Sequence, residues 1–321
     1  MILNTFKSKL KKYTVAFYNI ENLFDIYNDK VTRDNDLLPN ATRRWTVKRY
    51  QNKIRKLSFA ISNIGKEETD MPPAIIGLAE VENEAVLNDL VSFTHLEDYN
   101  YKFIHYDSPD ERGIDVALLY NEDVFKVAYS KTYALTLIDA MGVQDFTRDI
   151  LLVSGLLDGL ELHLIVNHWP SRRLGGESSE YKRIIAASKV EEIITELKEK
   201  DPNAKVVVMG DFNDDPSSKS INQLVGSHNL YNPMDTLLDL DRGTTVHNEA
   251  WNLFDQFLIT PNFFERKKNA LRFYKANIFD PEFLKQHEGR YEGNPFRTYV
   301  GKKYLGGYSD HFPIYMTLSK K

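Results

Sequence analysis

The chain has 321 residues, of which 42% are hydrophobic and 27% are charged, and its formal net charge is −5 at pH 7. This composition is typical of a globular protein and excludes a disordered or fibrous chain. The absence of cysteine excludes disulfides, thiolate zinc sites and cysteine nucleophiles. The acidic balance excludes a basic coat protein for nucleic acid, but it still allows a nuclease that holds its substrate through a few local contacts and a metal ion.

Residues 1–12 contain no continuous apolar core and no small-residue cleavage site, so we expect an N-terminal extension rather than a secretory signal. No apolar run of the sequence reaches the ~18 residues that a membrane span requires. We therefore expect a cytoplasmic protein, or a secreted or periplasmic one if a signal was removed. The sequence supports no inference about a protein partner.

Strand and helix patterns alternate along most of the chain. Strands are predicted for short segments rich in apolar and β-branched residues, and a β meander is predicted for 124–164. The strand segments are 13–20, 74–79, 101–106, 114–120, 162–168, 206–209, 253–259 and 313–318. Helices are predicted from Trp45 to about 64, from 83 to about 93, and from Ser178 or Ser179 to about 200. Between 213 and 252 we expect loops, and 262–308 has no periodicity that predicts an element.

No linker rich in Pro, Gly or Ser divides the chain, so we expect residues 13–321 to form a single domain. The order helix, buried strand, carboxylate occurs twice, ending at Glu80 and again at Asp211. Strands interleaved with helices, together with a long β-rich stretch, predict two sheets packed face to face with helices outside them.

Polar side chains follow the predicted strands at or near their ends. They are Asn19, Glu80, Asp115, Asn167, His168, Asp211, Asn213, Asp255, Asp310 and His311. Taken singly, such residues commonly cap turns or are satisfied locally. If the strands lie side by side, however, the residues converge, and so many carboxylates need a cation in order to stay ionised. Oxygen and amide ligands suit Mg²⁺, with Mn²⁺ as a substitute, and the histidines suit hydrolysis of a phosphoester by water.

These motifs resemble those of the endonuclease/exonuclease/phosphatase superfamily, the group of DNase I and the abasic endonucleases. The motifs are Phe17-Tyr18-Asn19-Ile20-Glu21-Asn22-Leu23, Gly77-Leu78-Ala79-Glu80-Val81-Glu82-Asn83, Arg112-Gly113-Ile114-Asp115, Val166-Asn167-His168-Trp169, Gly210-Asp211-Phe212-Asn213, Phe254-Asp255-Gln256-Phe257-Leu258 and Ser309-Asp310-His311. They occur in family order over residues 13–318. The resemblance implies an α/β fold, a four-layer αββα sandwich of the DNase I-like kind, with the site at one edge of the paired sheets.

The same resemblance implies a metal site and a catalytic carboxylate. Glu80 is the principal Mg²⁺ ligand in this analogy, and Asn19 and Asp310 lie beside it. Asp211 would orient or deprotonate the attacking water, and Asn213 would contact the scissile phosphate. The resemblance leaves open whether one or two metal ions bind.

Two histidines complete the catalytic set that the resemblance implies. His311, oriented by Asp255, would stabilise the transition state or act as the general base, so that the identity of the base stays open between His311 and Asp211. His168 would touch the phosphate or protonate the leaving oxygen. Asp115 is our own addition, because we expect its strand to lie next to the His168 strand, where the carboxylate could orient the imidazole. The alternative is an aspartate that faces solvent.

Three further residues are expected to contact substrate: Asn167, Arg172 and Arg173. Arginine forks suit phosphate, and the two arginines directly follow the His168 motif. The alternative is that these arginines only solubilise a surface loop. A basic segment at residues 43–56 could likewise hold a nucleic-acid backbone or be the solvated face of a helix.

Three functions are compatible with the sequence. The first is a Mg²⁺-dependent endonuclease acting on nucleic acid, as in the bacterial nuclease-like branch of the superfamily. The second is a phosphatase or phosphodiesterase of a small phosphorylated metabolite or lipid headgroup. The inositol polyphosphate phosphatase branch is disfavoured, because Met209 stands where those enzymes have Trp and Gln256 follows Asp255. The third, a non-catalytic binding module, is disfavoured because every motif keeps its polar group.

Overall fold

The computed structural model describes residues 10–29, 32, 33, 35–138, 142–172, 175–247 and 249–320. Two main sheets form the centre of the fold. The strands, in chain order, are β1 Lys11–Leu23, β2 Ile75–Val81, β3 Tyr101–His105, β4 Asp115–Asn121, β5 Phe125–Tyr133, β6 Leu137–Ile138, β7 Gln144–Asp145, β8 Ile150–Leu157, β9 Leu160–His168, β10 Val206–Asp211, β11 Thr245–His247, β12 Ala250–Asn252, β13 Asp255–Ile259, β14 Leu271–Ile278, β15 Tyr299–Val300, β16 Lys303–Tyr304 and β17 Ile314–Lys320.

Helices flank the strands along the chain. They are α1 Val47–Asn63, α2 Lys66–Thr69, α3 Glu84–Val91, α4 Gly176–Lys200 and α5 Lys219–His228. Among the described residues, no helix is both long enough and apolar enough to cross a membrane.

Within the described part of the chain, one sheet has six strands in the order β14-β17-β1-β2-β4-β3, and the other has five in the order β13-β10-β9-β8-β5. β1 and β2 are parallel, as are β9 and β10, and their antiparallel neighbours make both sheets mixed. The carboxyl ends of these two parallel pairs carry the polar motifs, so the motifs of both sheets meet at one edge of the sandwich.

Two apolar clusters make the layers. In β10, Val207 and Met209 face the other sheet, whereas Val206 and Val208 pack with Val190 of α4. This is the alternation that a strand buried on both faces requires. The larger cluster continues through the first sheet to Leu57 of α1 and to α3. The four-layer αββα sandwich is confirmed.

The sheets approach closely in the centre of the sandwich at Gly77. A Cβ at this position would lie 3.1 Å from a methyl carbon of Val166 and 3.2 Å from the methyl carbon of Met209, both of the opposite sheet. A side chain here would therefore push the two sheets apart, and with them the motifs at their common edge.

Several predicted boundaries were wrong. β1 begins at Lys11 and pairs with β17 from there, two residues before the predicted start of this strand. Helix α5 lies in the segment 213–252, for which we predicted loops. Strand β14 lies in the segment 262–308, for which we predicted no element. β1 also continues past Asn19 to Leu23, through an irregular register against β2.

Candidate active site

The edge of the first sheet is shaped by irregular backbone in β1 and β2. Glu21, Asn22 and Glu80 have φ angles of 47°, 51° and 68°, in the left-handed region that residues other than glycine rarely occupy. The register of β2 against β4 shifts between Ala79 and Val81, which is the bulge that contains Glu80. As a result, the Glu80 carboxylate accepts a hydrogen bond of 2.8 Å from the backbone N–H of Asn22.

The Asp211 carboxylate is the point where the two sheets meet. Its Oδ2 accepts a 3.0 Å hydrogen bond from Nδ2 of Asn19 in the other sheet. The same oxygen lies 3.7 Å from Nε2 of His168 and 3.9 Å from Nε2 of His311. Asp211 is 2% exposed. One carboxylate oxygen thus lies close to two imidazole nitrogens, which brings three groups able to exchange protons together.

His311 is fixed from behind by Asp255. The distance from its Nδ1 to Oδ2 of Asp255 is 2.7 Å, and Asp255 is completely buried at the start of β13. The backbone N–H of His311 also donates to Oγ of Ser309, whose hydroxyl donates to the carbonyl of Asn19. The imidazole is therefore held with Nε2 on the side of Asp211.

These contacts shift the ionisation of the pair. Burial raises the pKa of Asp211 to about 6; the His311 charge opposes this shift and the Asp255 charge adds to it. Burial alone would favour a neutral His311. The charges of Asp255, Asp211 and Asp310 outweigh burial and raise the pKa of His311 well above its ordinary value. At neutral pH the site therefore contains an imidazolium next to carboxylates.

Two arginines bind the carboxylates that were predicted as metal ligands. Arg112 lies 3.4 Å from Oε1 of Glu80 and also donates to the side-chain oxygen of Asn22. Arg297 donates to Oδ2 of Asp310 over 2.6 Å. Burial opposes ionisation of Asp310, but the positive charges of His311 and Arg297 outweigh it and lower the pKa of this carboxyl.

Two buried ionisable side chains, Glu21 and Lys53, both make hydrogen bonds to Thr298 in this region. Glu21 accepts a hydrogen bond from the backbone N–H of Thr298, and Lys53 of α1 donates to the Thr298 hydroxyl over 2.6 Å. Burial, assisted by the Asp310 charge, raises the pKa of Glu21 to about 7, and burial lowers the pKa of Lys53 to about 8. The pair joins β1, α1 and the segment that contains Arg297.

The donor set fits a hard divalent cation. Glu80 and Asp310 offer carboxylate oxygens, and Asn19 lies on the same edge. A second set of ligand atoms, from Asp211, Asp255 and His311, lies within 4.8 Å of one another. In the described structure Oδ1 of Asp255 is buried without a hydrogen bond. Oxygen donors without any thiolate suit Mg²⁺ or Mn²⁺.

Asn213 and Arg172 lie together beside Asp211. Asn213 has a φ of 49°, and its amide donates to the carbonyl of Trp169. Arg172 was expected to contact substrate, but its guanidinium donates to the carbonyl of Asn213 over 2.7 Å and to Asp214 over 2.8 Å. These bonds make Arg172 a support for the Asn213 turn. Arg173 lies outside the described residues.

The expectation that Asn167 contacts substrate was wrong. Its side chain is completely buried, accepts a hydrogen bond from Nε1 of Trp169 and donates to the carbonyl of Met209. The physical reason is the alternation of β9, because consecutive residues of a strand point to opposite faces. His168 faces Asp211, and Asn167 therefore faces away from it.

Asp115 begins β4, in the six-stranded sheet, whereas His168 ends β9 in the other sheet. The two strands pack on each other across the sandwich rather than along one sheet. Asp115 lies 3.3 Å from Nε2 of His105 and accepts the backbone N–H of Ser108. Burial raises the pKa of Asp115. Its role towards His168 stays a prediction.

Sequence reasoning missed Glu21, Lys53, Arg112 and Arg297 as members of the site. Glu21 and Arg112 lie within the quoted motifs and could have been included on that ground. Lys53 and Arg297 carry no local signal, because their partners are distant in sequence.

A cleft of about 840 Å³ opens beside Arg297 and Asp310. The β11–β12 hairpin forms one wall, and residues 286–305 form the other. Its lining residues are Val246, Glu249, Trp251, Gln286, Glu288, Gly289, Arg290, Tyr291, Asn294, Pro295, Arg297, Val300, Lys303, Leu305 and Asp310. The segment for which no element was predicted therefore shapes the space next to the candidate active site.

A model of the Endonuclease/Exonuclease/phosphatase family matches residues 14–320. No curated protein matches the sequence significantly. Among solved structures, the chain is similar to an endonuclease/exonuclease/phosphatase family protein from Bacteroides thetaiotaomicron, with 18% identity, a TM-score of 0.60, and 98% of this chain and 96% of that chain covered. It is also similar to a mannosyl-6-phosphatase of the same organism, with 17% identity, a TM-score of 0.58, and 95% and 99% covered. The catalytic domain of human Nocturnin has 16% identity and a TM-score of 0.56, with 97% and 95% covered.

Proposed function

The chain belongs to the Endonuclease/Exonuclease/phosphatase family, and from its site we propose that it is a metal-dependent phosphoesterase, most specifically an endonuclease that cleaves phosphodiester bonds of nucleic acid. Members of this family are phosphoester hydrolases. The observation that carries the proposal is the convergence of His168, His311 and Asn19 on Oδ2 of Asp211.

In this proposal Asp211 orients the attacking water and takes up its proton. Its pKa of about 6 leaves it ionised at neutral pH and still able to accept a proton. His311, kept protonated by Asp255, stabilises the negative charge of the transition state. His168 contacts the phosphate or protonates the leaving oxygen, and Asn213 donates from its amide to a phosphate oxygen.

Glu80, Asp310 and Asn19 would hold the divalent cation. When bound, such an ion polarises the phosphoryl oxygen and compensates the charge of the carboxylates. Arg112 and Arg297 bind Glu80 and Asp310 in the described structure, and guanidinium groups match phosphate oxygens.

Two experiments test the activity and the metal site. We expect the protein to nick plasmid and to cleave single-stranded DNA or RNA with Mg²⁺, and both activities to be lost in Glu80→Gln and His311→Ala. Calorimetric titration with Mg²⁺ should show binding to the wild type and to His311→Ala but weaker binding to Glu80→Gln. Intact plasmid and intact single strands after long incubation, together with phosphate release from small phosphomonoesters, would contradict the nuclease.

The cleft beside Arg297 favours a second candidate, a phosphatase or phosphodiesterase of a small phosphorylated compound. Its volume of about 840 Å³ lies within the range of small-ligand sites. One structurally similar protein is named a mannosyl-6-phosphatase. Phosphate release from a panel of sugar phosphates, nucleotides and lipid headgroups, measured beside the plasmid assay, separates the two candidates.

A further inference from the structure

Most residues that line the cleft beside Arg297 and Asp310 have no role in the proposed catalytic step. The volume of the cleft lies in the range of sites that bury a small ligand. Since Asp310 belongs both to the cleft and to the predicted metal site, a phosphate held at the catalytic groups would have its neighbouring substituent inside the cleft.

Trp251 gives the cleft an aromatic surface. Its ring lies nearly parallel to Phe312, with an interplanar angle of 19° and ring centroids 5.9 Å apart, and the residue also lines the cleft. Phe312 directly follows His311, so the ring pair is anchored next to the catalytic histidine. Because the second ring restricts the movement of the indole, the indole can form a stable stacking contact with a planar group.

The opposite wall is held in shape by its own backbone. The loop that contains Tyr291 is closed by a hydrogen bond from the N–H of Gln286 to the carbonyl of Asn294, 2.8 Å long, and the N–H of Phe296 donates to the carbonyl of Leu284 over 2.7 Å. The side chain of Leu284 is buried in the main core. Such a wall is formed before substrate arrives, so little ordering cost opposes binding.

The charges and polar groups of the lining fit a nucleotide. Arg297 and Lys303 are basic groups of the lining that a phosphate of the substrate can contact. Gln286, Asn294 and Glu288 offer donors and acceptors of the kind that base edges require. A purely apolar ligand would leave these polar groups unpaired.

We propose that this cleft is a base-binding subsite, in which one unpaired nucleobase stacks on Trp251 next to the scissile phosphate. The inference rests on the proposed function and narrows it, because a base of a single strand, a loop or a frayed end is already unpaired, whereas a base of a duplex must first be flipped out of its stack. Duplex DNA, whose bases are paired and stacked, would be cleaved more slowly.

A binding measurement tests the subsite without any turnover. Trp45 and Trp169 are buried, with 1% and 0% exposure, so quenching of tryptophan fluorescence by a ligand in the cleft would come from Trp251. In EDTA, we expect adenosine 5′-monophosphate to quench the fluorescence saturably and ribose 5-phosphate to leave it unchanged. In Trp251→Phe the quenching should disappear. Equal quenching by both compounds would overturn the proposal.

A kinetic measurement tests the same contact during cleavage. The substrate is a single-stranded oligonucleotide with one cleavable phosphodiester, made with both flanking bases, without the 5′ base, or without the 3′ base. We expect loss of one of these bases to lower kcat/KM of the wild type about tenfold to a hundredfold, the range of one stacking contact. Trp251→Leu should lower kcat/KM on the complete substrate similarly and should no longer discriminate the substrate that lacks that base.

The controls separate this inference from the proposed function. Tyr274→Leu removes an exposed ring that does not line the cleft and should behave as the wild type. If Trp251→Leu does not fold, Tyr291→Leu tests the opposite wall, since that side chain is 47% exposed. If kcat/KM does not change when either base is removed, the proposed subsite is wrong, whereas the proposed nuclease activity still stands. If adenosine 5′-monophosphate alone quenches the fluorescence but no nucleic acid is cleaved, the proposed nuclease activity is wrong, whereas the proposed subsite still stands.

Discussion

Nδ1 of His311 lies 2.7 Å from Oδ2 of Asp255, which has no exposed surface. The pair joins the loop before β17 of one sheet to the first residue of β13 in the other. His311 also lies against Asp211, and the Asp255 charge is the strongest of the nearby charges that raise the pKa of His311.

Replacing Asp255 with asparagine should therefore reduce activity without moving the histidine. Asparagine keeps the size and an acceptor oxygen but removes the charge that keeps His311 protonated. We expect kcat to fall about a hundredfold or more, the usual range for one acid or base group. The pKa of His311, followed by proton NMR, should fall towards its ordinary value, whereas that of His163 should not change. A kcat equal to that of the wild type would contradict this role.

Arg172→Ala should lower stability more than it affects substrate binding. The change removes the bonds to the Asn213 carbonyl and to Asp214, which is only 3% exposed. We expect the free energy of unfolding to fall by about 2 kcal/mol, as for loss of a charged hydrogen bond. Because the Asn213 turn loses its support, kcat should fall while KM changes little. Arg172→Lys, which lacks the fork, should be intermediate.

The opposite result for Arg172 is equally informative. A raised KM at unchanged stability, measured by urea denaturation, would support the original expectation that this arginine contacts substrate.

Gly210→Ala should destabilise the protein and displace Asp211. A Cβ at Gly210 would lie 2.4 Å from the carbonyl oxygen of Asn167 in the neighbouring strand, and neither backbone can yield. We expect a loss of about 3 kcal/mol of stability, the upper range for overpacking, and a strong loss of activity. Gly226→Ala is the matched control, because that glycine of α5 has open space around it. It should gain about 0.5–1 kcal/mol from helix propensity.

Lys205 should make stability depend on alkaline pH. Burial lowers the pKa of Lys205 to about 8 in the folded protein. Between this pH and the ordinary lysine value of about 10.4, the unfolded chain binds more protons than the folded one. Stability from this residue therefore rises with pH in that window and is lowest below pH 8.

Lys205→Met removes the charge that the fold disfavours. We expect it to gain about 1 kcal/mol or less at pH 7, since the residue is partly solvated, and the gain should vanish near pH 10. Urea denaturation at several pH values checks this, with Lys268→Met at an exposed position as control. A difference that does not depend on pH would exclude the titration of Lys205 as its cause.

The sequence was sufficient to predict the site residues that lie at strand ends. It was insufficient to predict those whose partners are distant in sequence. The segment 206–209 was predicted as a buried strand because its apolar run stops at Gly210 and Asp211, and the observed strand is Val206–Asp211. The exclusion of Asn167 could also have been predicted, since alternation puts it on the face opposite His168. Lys53 and Thr298 are 245 positions apart, so their contact follows only from the packing of α1 on the later segment.

Local backbone chemistry explains another part of what was missed. Helix α5 has buried Ile221 and Leu224 at helical spacing, but the segment is short and follows a turn-rich stretch. The φ of 68° at Glu80 could not be predicted either, because glutamate has no preference for that region.

The left-handed conformations of Glu21, Glu80 and Asn213 create a conflict between thermal stability and activity in this protein. Each such residue costs on the order of 1–3 kcal/mol when it is not glycine, and all three lie in or next to the candidate active site. Laboratory evolution for a higher melting temperature alone would therefore favour glycine or asparagine at Glu21 and Glu80. Variants selected in this way should have a higher melting temperature but no activity. A screen for thermostable variants must therefore select for activity in the same round.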